Sequence, residues 1–110
     1  MTRELLVLVT TSGKDEAATI ADALVSEQIA ACVNIIDSVQ SVYRWEGKIA
    51  HDSEALMIIK TTDDRYDDLE RRVKQLHSYS TPEVIAMRIE RGSREYLAWL
   101  GESVSSSEET

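Results

Sequence analysis

Apolar and polar residues along this chain follow two rhythms, and the changes from one to the other mark its elements. Leu5-Leu6-Val7-Leu8-Val9 is an unbroken apolar run, which predicts a short strand buried on both faces. Thr10-Thr11-Ser12-Gly13 ends it. Ser12 and Asp15 stand in capping-box spacing, so a helix is predicted to begin at Gly13 or Lys14. Ala17, Ile20, Ala21, Leu24 and Val25 then recur on one helical face to about Gln28.

From Ala30 to Thr62 the period becomes two. Val39, Ser41, Tyr43 and Trp45 alternate with Gln40, Val42 and Arg44, and Gly47 supplies the positive φ of a tight turn at Glu46-Gly47. Leu56-Met57-Ile58-Ile59 is apolar at every position, so this part of the returning strand is predicted to be central in a sheet.

Thr61, Thr62 or Asp63 can cap a second helix. Asp63, Asp64, Asp67 and Asp68 suit its positive end, and Tyr66, Leu69, Val73 and Leu76 form its buried stripe. Pro82 disfavours helical geometry at Thr81, so the segment from His77 to Pro82 breaks the pattern. Val84 to Ile89 reads as a strand. Ser93 caps a last helix carrying Tyr96, Leu97 and Leu100, which Gly101 can end. Residues 103–110 are mostly Ser and Glu and are expected to be disordered.

The order βαββαβ followed by a helix predicts an α+β, ferredoxin-like sandwich occupying residues 1–102 as a single domain. The hairpin exceeds what such a sheet needs. Strands of roughly 14 residues at about 3.3 Å each project well past neighbours of ~5–6 residues. A free two-stranded ribbon is marginal in water and exposes unpaired edges. Another copy of the chain is the simplest partner, so the extra length predicts an oligomer.

Composition narrows the function. Hydrophobic residues at 43% and charged residues at 29% describe an ordinary globular protein. A net charge of −8 without a Lys/Arg cluster argues against nucleic acid. No apolar run reaches the ~18 residues of a membrane span, and no signal segment opens the sequence, so a cytoplasmic address without membrane association is expected. Cys32 is the single cysteine and cannot form an intrachain disulfide. The sequence shows no Gly-rich phosphate loop, no nucleophile elbow and no evident Cys–His pairing, so neither catalysis nor an organic cofactor is expected.

Five motifs occur in order: Ala31-Cys32-Val33-Asn34-Ile35; Ser41 to Ile49, reading SVYRWEGKI; Glu54 with Ile59-Lys60-Thr61; His77-Ser78-Tyr79 with Pro82-Glu83; and Tyr96-Leu97 with Trp99. Together they resemble the CutA family of divalent-cation tolerance proteins, over about Leu5 to Leu100. The family commonly has His-Pro-Tyr where this chain has His77-Ser78-Tyr79, a change that loosens the backbone at the helix end. The resemblance implies a homotrimer of ferredoxin-like subunits whose long hairpins pair with their neighbours. It also implies binding of divalent metal ions, copper among them, and a role in tolerance to them.

Candidate residues each carry two readings. Cys32 can ligate a metal as thiolate or be a small buried side chain. His77 can cap a helix C-terminus or offer a ring nitrogen to a metal, with Glu83 nearby. His51, near Asp52 and Glu54, reads as an adventitious surface site. One Cys and two His cannot close a four-ligand zinc site, so a specific metal site must recruit carboxylates or neighbouring subunits. Glu54 and Lys60 share a strand face and can form intersubunit ion pairs or a polar cleft, with Trp45 as a wall and Tyr79 contributing a hydroxyl. Tyr43 joins Trp45 as interface packing. The rival function is a trimeric signalling protein resembling the nitrogen-regulatory PII proteins, with a metabolite or nucleotide bound between subunits. Such proteins usually carry a long loop between the second and third strands, where this chain has only Glu46-Gly47.

Overall fold

The computed structural model describes residues 3–104. Its elements run β1 (Glu4–Thr11), α1 (Lys14–Ser26), β2 (Cys32–Trp45), β3 (Lys48–Thr62), α2 (Tyr66–Leu76), β4 (Ile85–Arg88) and α3 (Arg94–Ser103), with a 3-10 turn at Asp63–Arg65 leading into α2. The strands form one sheet in the order β2-β3-β1-β4, and every neighbouring pair is antiparallel.

One face of the sheet meets α1 and α2. Leu5, Val7 and Val9 of β1 and Ala55, Met57 and Ile59 of β3 interlock there with Ala17, Ile20 and Leu24 of α1 and Leu69 and Val73 of α2. All are essentially removed from water, so most of each helical stripe read from the sequence is buried. Val25 at the end of the α1 stripe is instead 42% exposed, and Tyr66 and Leu76 are only partly buried. A smaller cluster joins Leu100 and Val104 to Ala31 and Ile89.

The structure changes several expectations. β1 is not buried on both faces: Leu6 and Leu8 are only half-buried, as are Leu56 and Ile58 beside them. The run is apolar on both sides, but the second side is incompletely covered by this chain. At the start of α1 the partner of Ser12 is Glu16, not Asp15. Its carboxylate accepts from the Ser12 N–H at 3.0 Å and hydroxyl at 2.8 Å. α1 stops at Ser26, and Gln28, at φ +60°, turns the chain away. α3 passes through Gly101, and Val104 beyond it is buried. Packing therefore continues past the boundary expected at residue 102, while residues 105–110 lie outside those described.

The hairpin has the expected length, with 14 residues in β2 and 15 in β3. The molecule's longest dimension of 45 Å matches the ~46 Å reach of such a strand. Its turn places Glu46 at φ +50° and Gly47 at φ +78°, the left-handed pair that matches strand twist.

Between Ile36 and Val39 the register slips. Ile36 faces Leu56 and Val39 faces Glu54, so β2 carries one extra residue. This bulge inverts which residues of β2 face the helices. Before it, Cys32, Asn34 and Ile36 lie opposite Lys60, Ile58 and Leu56 on the face away from the main core. After it, Val39, Ser41, Tyr43 and Trp45 take that face.

Candidate functional site

A cavity of about 810 Å³ lies between the hairpin and the loop joining α2 to β4. β2 contributes Ser41, Val42, Tyr43 and Trp45, β3 contributes Glu54, and β1 contributes Thr10. The loop supplies Tyr79, Ser80, Thr81 and Glu83. The bulge makes this convergence possible, because it turns Tyr43 and Trp45 to the face that carries Glu54.

The loop is held by a buried network. His77 is the C-terminal cap of α2, and its N–H donates to the Val73 carbonyl at 2.9 Å. Its side chain has no exposure. Nε2 lies 2.7 Å from the Thr10 carbonyl, an acceptor only, so the proton sits on Nε2. Nδ1 then accepts from the Tyr79 N–H at 3.1 Å. The imidazole ties β1 to the loop with both nitrogens. Glu16 completes the tie by accepting from the Ser78 N–H at 2.6 Å. Burial would raise the Glu16 carboxyl, but the Ser12 and Ser78 donors outweigh it and lower the pKa from 4.5 to about 2.

Tyr79 leaves this network pointing at the hairpin. Its hydroxyl donates to Glu54 at 2.7 Å. Burial, followed by that carboxylate, pushes the phenol well above its usual range. Tyr43 makes the same kind of bond to Asp52, and its phenol is raised by that bond first. Each phenol thus gives a carboxylate a fixed hydrogen-bond donor.

The sequence-derived candidates divide into two places. Tyr43, Trp45, Glu54, Tyr79 and Glu83 meet at the cavity. Cys32 and Lys60 lie opposite each other further along the sheet, where Lys60 donates to Asn34 and the Cys32 thiol lies 3.9 Å from the same amide oxygen. Tyr96 of α3 reaches Cys32 there. Six residues of β3, roughly 20 Å of extended chain, separate Lys60 from Glu54, so they do not share a cleft within one subunit. His51 is exposed opposite Val42. Within one chain Cys32, His77 and Glu83 are not gathered. Among the described residues no group of three His, Cys, Asp or Glu side chains is placed to hold a metal ion.

Sequence reasoning missed Glu16, which differs from the expected Asp15 by one position, and Thr10, whose carbonyl holds His77 and which also lines the cavity. The profile of the family described as CutA1 divalent ion tolerance protein matches residues 5–103. The chain belongs to the CutA family. It is 48% identical over 100 residues to the divalent-cation tolerance protein CutA of Thermus thermophilus, covering 91% of this chain and 97% of that one. The crystal structure of CutA1 from Oryza sativa superposes with a TM-score of 0.93 at 43% identity, covering 96% of this chain and 97% of that one. A structure from Archaeoglobus fulgidus gives 0.90 at 39% identity, over 93% and 99% of the two chains, and is described as the periplasmic divalent cation tolerance protein CutA. Relatives are thus not confined by name to the cytoplasm. Among the described residues no helix is long and apolar enough to cross a membrane.

Proposed function

We propose that the protein is a non-enzymatic, cytoplasmic homotrimer, with ferredoxin-like subunits, that serves tolerance to divalent cations, copper foremost. The observation that supports assembly is the apolar surface this chain leaves uncovered. Ile36, Ile85 and Met87 are 43%, 52% and 49% exposed around half-buried Leu6, Leu8, Leu56 and Ile58. Val42, Trp45 and Ile49 are 61%, 64% and 57% exposed on the projecting hairpin. An apolar surface of this extent on a monomer marks an interaction site.

Metal binding then draws on donors from more than one subunit. Glu83 is exposed and Cys32 partly so, and both remain open to a ligand from outside the chain. His77 serves the loop with both nitrogens, so its contribution to the function is structural.

Native mass spectrometry should show one dominant species of three chains, and a stable monomer would overturn the assembly reading. In calorimetric titration copper should bind more tightly than zinc, as the usual affinity order expects for nitrogen, oxygen and sulfur donors. Cys32→Ser and Glu83→Gln test the donors without disturbing the core. Unchanged copper isotherms in both variants would remove those residues from the metal reading.

A further inference from the structure

We infer that the cavity between the hairpin and the α2–β4 loop is a binding site for a small organic cation, an alkylammonium compound. Its walls are aromatic: Tyr43 and Trp45 on the hairpin and Tyr79 on the loop. Its charge is negative, because Glu54 and Glu83 line it and no lining residue is basic. Asp52 stands behind Tyr43 as a further carboxylate.

Two observations decide between an organic cation and a bare metal ion. The volume of about 810 Å³ falls in the range of small-molecule pockets, and no three ligating side chains converge there. A metal ion needs close donors on several sides, whereas an ammonium group is satisfied by aromatic faces and carboxylates at longer range. Glu54 is also fixed in advance. Tyr79 holds Glu54 at 2.7 Å, and the loop carrying Tyr79 is anchored by buried His77. Trp45, 64% exposed within a single subunit, lines the cavity. The hydroxyls of Ser41, Ser80 and Thr81 are available for a polar group elsewhere on the ligand.

The inference does not depend on the metal reading, and the test keeps them apart. Trp45 and Trp99 are the two tryptophans, so a Trp99→Phe background leaves Trp45 as the sole indole reporter. Choline is titrated into this protein as it assembles, alongside its neutral carbon isostere 3,3-dimethyl-1-butanol. A saturable fluorescence change is expected with choline, with binding at least about tenfold weaker for the isostere. Glu83→Gln removes a charge, as does Glu54→Gln, which keeps an acceptor for Tyr79. Each should weaken choline binding by roughly three- to tenfold. Equal responses to both compounds would overturn the proposal, as would no saturable response at all, the result if a neighbouring copy fills the cavity. Loss of copper binding in the Gln variants without any choline response would assign the carboxylates to metal alone.

Discussion

Glu16 accepts three hydrogen bonds, and its donors belong to two segments, around Ser12 and Ser78, that meet only in the fold. Its folded pKa of about 2 lies below the ordinary 4.5, so between those values the unfolded chain binds the proton more readily. The stability Glu16 contributes is therefore complete above about pH 4.5 and is lost as pH falls towards 2. At about 1.4 kcal/mol per pKa unit, discounted for solvent screening, that is on the order of 1–2 kcal/mol. Urea midpoints measured from pH 6 to pH 3 should fall accordingly. Glu16→Gln should cost about 1–3 kcal/mol at neutral pH, because the amide turns a donor towards N–H groups that need acceptors. The gap between variant and parent should narrow in acid, and a constant gap would show that the carboxylate's charge is unimportant. Tyr79→Phe tests the other end of the loop. It leaves half-buried Glu54 without its phenolic donor and should cost about 1–2 kcal/mol. In a spectrophotometric titration it should also delete the highest-titrating tyrosine.

The β2–β3 hairpin carries the features that sequence periodicity sees best and one that it cannot see. Its turn was legible because Gly47 interrupts two alternating runs, and the observed φ values at Glu46 and Gly47 are both positive. Glu46 is the poorer occupant of that geometry. Glu46→Asn should stabilise the chain by a few tenths to about 1 kcal/mol, and Gly47→Ala should cost about 1 kcal/mol through backbone strain alone, since nothing crowds its Cβ. Both are read from denaturant midpoints; a loss for Glu46→Asn together with no cost for Gly47→Ala would refute the assigned turn. The bulge at Asp37-Ser38 was hidden because an extra residue leaves perfect alternation on either side of itself. Only the pairing partner reveals the slip. The same limit separated Lys60 from Glu54: alternation places them correctly on one face but says nothing of the distance along it. The helices were legible because Ile20, Leu24, Leu69 and Val73 repeat at the helical period and reach the core. Gly101 misled because a glycine permits a helix end without requiring one.

At the scale of the whole molecule, the runs Leu5–Val9 and Leu56–Ile59 announce two apolar faces, but not whose atoms cover the second. In this chain α1 and α2 cover one, and much of the other stays open. Trp45 gives a clean test of whether other copies provide the cover. At 64% exposure it contributes little to the fold of a single subunit, and the core strands lie away from the hairpin tip. If it packs into a neighbour, truncation removes a large aromatic from an interface at a cost of typically ~3–5 kcal/mol. In a closed symmetric assembly that loss recurs in every subunit. Trp45→Ala should therefore dissociate into smaller species on dilution, followed by sedimentation, while its far-ultraviolet circular dichroism keeps the folded signature. The fall in thermal stability should depend on protein concentration, since the subunit's own core is untouched. An intact trimer with an unchanged melting temperature would show that the indole adds nothing to the seam between subunits.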